Sequence, residues 1–190
     1  MVNLTFRTTI KVCICGSGNA GTAIAADLAL LGYEVNLFEL PEFKNSIEPI
    51  EEEGGIIVTG NTYSGKTGKA KLNKITTDAS EAIKGTELIM VTVPAMAHEV
   101  VFKVFSAYLE EQQVILSNTG YWASLRFRDL LWEEGILEKV TMAEANTMLY
   151  LSEKKSQLMS IYLDIKKFQQ CRQQNELLRL LEKHIHIIVH

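Results

Sequence analysis

Histidine is scarce in this 190-residue sequence: there are four, and only His98 precedes residue 184. Proton transfer through imidazole therefore has few possible sites over most of the chain. Cysteine is scarce too. Cys13, Cys15 and Cys171 are an odd number at no metal-like spacing, which argues against a metal site. Cys13 and Cys15 alternate within an apolar run, so they share one face of a strand, where buried cysteine acts as a small hydrophobe. Positive charge is not in excess. The net charge of −4 gives no field for nucleic acid or an anionic membrane, so an anionic ligand has to be held by local groups. The opening "MVNLTFRTTIKV" lacks the apolar core of a signal peptide, and no run approaches the length that spans a bilayer. These absences leave a reduced, cytoplasmic protein as the expectation.

What is present is ordinary globular material, 47% hydrophobic and 22% charged, at a length that suits one domain. "IKVCIC" (10–15) and "GYEVNLFEL" (32–40) are strand-like runs. Between them Ala20, Ala23, Ile24, Asp27, Leu28 and Leu31 fall at helical spacing, and Gly32 is placed to stop the helix. Strand, glycine turn, helix and strand within about 30 residues make a βαβ unit. "ELIMVTV" (87–93), "QVILSN" (113–118) and "KVTMAEA" (139–145) are further apolar runs, separated by helical stretches at 97–110 and 124–133. Continuous apolar runs suit parallel strands covered on both faces. The fold class expected is α/β: a Rossmann-type doubly wound, mostly parallel sheet with helices on both faces. In the tail, 156–168 reads as extended, 173–184 as helix and 185–189 as a last strand.

Two phosphate-binding signatures compete. "GNTYSGKT" (60–67) matches the loop of nucleoside triphosphatases, G-x-x-x-x-G-K-[ST]. That loop needs a helix directly after its lysine, whose first amides hold the phosphates. After Lys66 and Thr67 come Gly68 and the alternating "KAKLNKITTD", which reads as extended. The stretch is expected to be two strands joined by a glycine-rich turn on the surface. "GSGNAG" (16–21) has the required context: a strand before, a helix after, and an acid at the end of the next strand. Gly16 permits the tight turn, and Gly18 leaves room for a pyrophosphate. Gly21 lets helix and strand pack closely, and Ser17, Asn19 and Ala20 belong to the same cradle, with the Asn19 and Ala20 amides aimed at phosphate. Glu39 follows Gly21 by 18 residues. Its carboxylate accepts from both ribose hydroxyls of an adenosine and repels a 2′-phosphate, which favours NAD over NADP.

Other candidates lie at strand ends, where an open parallel sheet binds ligands. Val93, Pro94 and Ala95 let the chain run close to a sugar or ring, and Asn118 and Thr119 offer hydrogen bonds to ribose or carboxamide. Glu144 either faces the nicotinamide or caps a helix. His98 is expected on the first turn of its helix rather than as a catalytic acid. His184, His186 and His190 could share one strand face, but they lack the further ligand or open geometry of a zinc site, and no metal is expected. The catalytic residues are not identified.

The segments "KVCICGSGNAGTAIAADLALLGYEVNLFEL", "KITTDASEAIKGTELIMVTVPAMAHEVV" and "QVILSNTG", with the glutamate of "TMAEANTMLY", resemble the opine (octopine/nopaline) dehydrogenase family, within a group that includes 6-phosphogluconate and glycerol-3-phosphate dehydrogenases. The resemblance covers most of residues 10 to 150, and Thr119 departs from it, standing where relatives often carry proline. It implies an NAD(P)H-dependent reductive condensation of an amino acid with a 2-oxo acid. It also implies a second, helical domain that supplies substrate-binding groups and a catalytic histidine. Residues 1–190 are then expected to be one dinucleotide-binding domain, with the helical substrate domain absent from this chain. Two alternatives stay open: a free-standing dinucleotide-binding module, such as a redox sensor or partner subunit, and a related ketopantoate-, 2-hydroxyacid- or glycerol-3-phosphate-type dehydrogenase. The sheet's open side is expected to leave an apolar patch and a homo-oligomer.

Overall fold

The computed structural model describes residues 10–60, 62, 64–118, 122–145, 152–155 and 160–163. Six strands form the main sheet: β1 (Lys11–Cys15), β2 (Glu34–Phe38), β5 (Lys74–Thr76), β6 (Leu88–Val91), β7 (Val114–Asn118) and β8 (Thr141–Ala145). Their order is β5-β2-β1-β6-β7-β8, with every neighbouring pair parallel. This is the doubly wound order expected, and it reverses direction between β1 and β6. The apolar runs are explained by burial on both faces. Val12 and Ile14 of β1 pack on one side with Leu37, Ile24 and Leu28. Cys13 and Cys15 pack on the other with Ile89, Phe102, Phe105 and Phe127. Burial pushes the Cys13 thiol up to about 12 and the Cys15 thiol well above its ordinary value, so both cysteines are inert packing residues.

Helix α1 (Asn19–Leu31) ends at Gly32 in the left-handed conformation, with the Gly32 N–H returned to Ala29 O. Its flanks are both covered. The main sheet lies on one side, and a second sheet packs on the other, ordered β4-β3-β10-β9. That sheet comprises β3 (Ile56–Val58), β4 (Gly68–Ala70), β9 (Ser152–Lys155) and β10 (Ser160–Leu163). This explains why α1 is apolar nearly all round. Helices α3 (Ala79–Ile83), α4 (His98–Ser106) and α5 (Ala123–Glu133) cover the opposite face, and a short α2 (Glu48–Glu53) precedes β3. Asp78 caps α3 through the Ser80 and Glu81 N–H groups, and its carboxyl is held below its ordinary range, chiefly by the Ser80 hydroxyl. Of the tail, 160–163 is extended as expected; the expected helix at 173–184, the strand at 185–189 and the three terminal histidines lie outside the described residues.

The triphosphatase-like signature at 60–67 lies in the β3–β4 hairpin, which is antiparallel. The two-strand reading holds, but the hairpin is more than a solvated surface turn: Ile56, Val58 and Ala70 are buried in the core that also holds α1. The turn itself is tied to α1. Asp27, only 1% exposed, accepts from the Ser64 N–H at 3.3 Å and from the Ser64 hydroxyl. Lys66 Nζ donates to Leu30 O at 2.8 Å, at the negative end of α1. Strand β4, not a helix, directly follows Lys66 and Thr67, so the helix-start amides that a triphosphate needs are missing there. Lys66→Ala is therefore expected to leave NADH affinity within about twofold and to lower stability by at most about 1 kcal/mol. Calorimetry and thermal melting check both. Saturable binding of ATP with magnesium that vanishes in Lys66→Ala would overturn this assignment.

Candidate functional site

The carboxyl ends of β1 and β6 meet where the strand order reverses, and the glycine turn sits on that junction. Gly16 adopts φ +105°, a conformation that disfavours side chains, and a Cβ there would lie 2.9 Å from Thr92 Oγ1 and from Val93 Cγ1. A Cβ on Gly21 would lie 1.8 Å from Gly16 O, so the first turn of α1 touches the end of β1 directly. Two threonines lock this arrangement. Thr92 Oγ1 donates to Cys15 O at 2.7 Å, with Gly16 O at 3.2 Å. Thr22 Oγ1 donates to Ser17 O at 2.9 Å. Neither threonine stood out in the sequence, because single hydroxyls beside a glycine motif carry no spacing signal.

The amino end of α1 is open. Its cap residue Gly18 brings no side-chain hydrogen bond, no acid lies in the first turn, and Gly18 and Asn19 are exposed. The first intrahelical bond is Thr22 N to Gly18 O at 2.9 Å, so the first-turn amides of α1 face the glycine turn. The helix's positive end can therefore accept an anion.

Glu39 sits beside this turn, 7% exposed. Its Oε2 accepts from the Ser17 N–H and the Ser17 hydroxyl, both at 2.7 Å, and its Oε1 accepts from Leu40 N–H at 2.9 Å. Ser17 also hydrogen-bonds Ser46, on the short 3₁₀ turn Pro41–Ser46 that follows β2. Lys44, the nearest cation in sequence, lies on the same turn and pairs with Glu48 at 3.4 Å.

At the end of β6, Val93 is buried against Gly16, and Pro94 leads into the short turn Ala95–Ala97. Asn118 is buried at the end of β7. Thr119 lies outside the described residues. Of the two roles open to Glu144, the structure shows the cap: Oε1 accepts from Ser124 N–H at 2.6 Å and Oε2 from Trp122 N–H at 3.2 Å, at the start of α5. The choice was open in sequence because only the sheet register brings β8 beside that helix start.

His98 is the first residue of α4, as expected, and is turned inward. It is 1% exposed, its ring lies 5.6 Å from that of Phe102, and Nε2 has no hydrogen-bond partner. Burial holds its pKa below the ordinary value, and Arg126 adds to this; a hydrogen bond at the Val93 backbone and the Glu144 charge oppose it. Unfolded histidine titrates near about 6.5. Below that pH the unfolded chain takes up a proton that the folded chain resists, so stability falls as pH drops through about 6.5 toward the lower folded value. Thermal melts from about pH 8 to pH 5 are expected to show this loss, and His98→Gln to flatten it. An unchanged slope in His98→Gln would assign the loss elsewhere.

Residues 11–120 match the model of the NAD-dependent glycerol-3-phosphate dehydrogenase N-terminus. An opine dehydrogenase of Arthrobacter sp. (strain 1C) is 35% identical over 138 residues, covering 72% of this chain and 37% of the relative. An octopine dehydrogenase of Pecten maximus is 30% identical over 139 residues, covering 66% and 33%. A solved octopine dehydrogenase structure, with NADH and L-arginine, superposes with a TM-score of 0.69 at 26% identity, covering 82% of this chain and 39% of that one. The chain thus spans about a third of the length of these curated relatives. With the glycine turn, the open helix end and the parallel sheet in register, this chain belongs to the family of NAD-dependent glycerol-3-phosphate dehydrogenase N-terminal domains, as an NAD-binding domain similar to that of the opine dehydrogenases.

Proposed function

We propose that this chain holds NAD(H) for an oxidoreductase of the opine dehydrogenase type, one that condenses an amino acid with a 2-oxo acid reductively. Gly18 carries the reading. Its backbone, at φ −65° and ψ −177°, suits any residue, and a Cβ there would meet nothing within 4 Å. The fold does not need glycine at 18. A ligand does, if its pyrophosphate lies against the turn at the positive end of α1. Gly16, Ser17, Asn19, Ala20 and Gly21 form the rest of that cradle. Glu39 receives the adenosine ribose, and Val93, Pro94, Ala95 and Asn118 line the path toward the nicotinamide.

When bound, the reduced nicotinamide supplies the hydride. The chain's own groups bind and orient it. Among the described residues, His98 is packed against Phe102 and Glu144 is committed to α5, so neither stands ready to exchange a proton with a substrate amine. Substrate binding and proton transfer then fall to groups outside this domain, as in a two-domain enzyme. Association with a second copy is part of the proposal, supported by the exposed apolar side chains Met96 and Trp122, 90% and 74% exposed. Among the described residues no helix is long and apolar enough to cross a membrane.

The experiment is calorimetric titration of residues 1–190 with NADH, followed by an assay of NADH oxidation with mixed amino acids and 2-oxo acids. Binding without turnover is the expected result. Failure to bind NADH would overturn the reading, and robust turnover would place the acid–base group inside this chain.

A further inference from the structure

We infer that Ser46 is a positioning residue for the cofactor: it takes the Ser17 hydroxyl proton away from Glu39 so that both adenosine ribose hydroxyls can bind the carboxylate. The inference rests on the NAD reading above. It starts from a count of protons. A carboxylate offers about four acceptor positions, two on each oxygen. Glu39 Oε2 has both of its positions filled, by the Ser17 N–H and the Ser17 hydroxyl. Oε1 has one filled, by Leu40 N–H. One position remains, whereas a ribose presents two vicinal hydroxyl donors. The site is nearly closed to solvent, so the second position has to be released from within.

Ser17 and Ser46 provide the release. The two hydroxyls carry one proton each. Three contacts compete for those two protons: Ser17 Oγ to Glu39 Oε2, Ser17 Oγ with Ser46 Oγ, and Ser46 Oγ to Phe43 O at 2.7 Å. Not all three can be made at once. In one arrangement the Ser17 proton points to Glu39. In the other it points to Ser46, the Ser46 proton points to Phe43 O, and Oε2 gains a vacant lone pair. The second arrangement needs no movement of heavy atoms, because the three oxygens already stand in hydrogen-bonding positions. The Ser17 amide stays on Oε2 in both, so the carboxylate keeps its orientation. Binding of a vicinal diol selects the second arrangement, and only a hydroxyl at 46 makes it available.

The test compares NADH with its analogue lacking the 2′-hydroxyl on the adenosine ribose, by calorimetry, in the wild type, Ser46→Ala and Ser46→Thr. In Ser46→Ala the Ser17 proton loses its second acceptor, and Glu39 is the one left among the described residues. NADH affinity is expected to fall about tenfold, the worth of one hydrogen bond, while the 2′-deoxy analogue binds about as in the wild type. Ser46→Thr keeps the hydroxyl and is expected to retain the preference for the diol. Equal weakening of both ligands in Ser46→Ala would make Ser46 merely structural and overturn the inference. So would unchanged NADH affinity, or loss of the preference in a folded Ser46→Thr. Failure of the wild type to bind NADH would instead overturn the functional reading beneath it.

Discussion

Gly21→Ala is expected to cost both fold stability and NADH binding, whereas Gly18→Ala is expected to cost binding alone. The contrast follows from what each added methyl would meet. At Gly21 the Cβ would sit 1.8 Å from Gly16 O, 2.9 Å from Gly16 C and 2.5 Å from Thr92 Oγ1. Two of these are backbone atoms at the end of β1, so no side-chain rotation relieves the clash. Helix α1 has to lift from the sheet, and α1 is packed on both sides. Overpacking of this kind costs about 3 kcal/mol or more, or roughly 6–12 °C in melting temperature for a chain of this size. Binding goes with it, because the amides at the start of α1 are displaced from the turn. At Gly18 the new methyl meets nothing of the protein. Stability should change by no more than about 1 kcal/mol, the difference between glycine and alanine as a cap. On the proposed reading the methyl occupies the space against which a pyrophosphate would rest, and NADH affinity should fall on the order of a hundredfold, about 2.7 kcal/mol. Thermal melts and calorimetry on both variants separate the effects. A Gly18→Ala protein that binds NADH normally would remove the pyrophosphate from this turn.

The second large effect is expected at Glu39. The wild type should bind NAD(H) at least about tenfold more tightly than NADP(H). On the proposed reading a nearly buried carboxylate would meet the 2′ position, and Lys44, the cation closest in sequence, is paired with Glu48. Glu39→Arg should lose NAD(H) affinity and narrow the preference. The structure adds a cost that charge alone does not suggest. Glu39 is the acceptor for the Ser17 and Leu40 amides, and arginine accepts nothing. Each amide left buried without a partner costs about 1–3 kcal/mol, so the variant should also melt lower. Competition calorimetry with the two cofactors decides the preference. Tighter binding of NADP(H) by the wild type would refute the role given to this carboxylate.

Much of the fold could be read along the chain because its signals are local. The βαβ unit at 10–40 carries strand, turn and helix periodicities in unbroken succession, and Gly32 stops α1 where expected. The runs at 87–93, 113–118 and 139–145 became β6, β7 and β8 because burial on both faces demands continuous apolar sequence. The hairpin at 60–67 was also legible, since Gly68 and alternating residues follow Lys66 where a triphosphatase loop would need a helix. What stayed illegible depends on separation in sequence. Ser64 and Lys66 bind α1 across 37 and 36 residues, and no local pattern encodes a loop laid over a helix. Asp27, at helical spacing among apolar residues, accepts from Ser64 in that distant turn.

The sequence by itself determined the order of elements, the glycine turn and the acid that follows it. These depend on backbone conformations and periodicities that act within a few residues of one another. Only the tertiary structure decided what each polar side chain does. Glu144 was free in sequence either to meet a ligand or to cap a helix, and the pairing of β7 with β8 set it against the start of α5. His98 could face a substrate or the core, and the packing of Phe102 and Phe127 turned it inward. Glu39 was legible as an acid at the end of β2, but its bonds to Ser17 and Leu40, and the reach of Ser46 to Ser17, appear only when β1 and β2 lie side by side. Hydrogen bonds act over about 3 Å, so a residue's partner is fixed by which chain segments packing brings together, and spacing along the sequence cannot supply that.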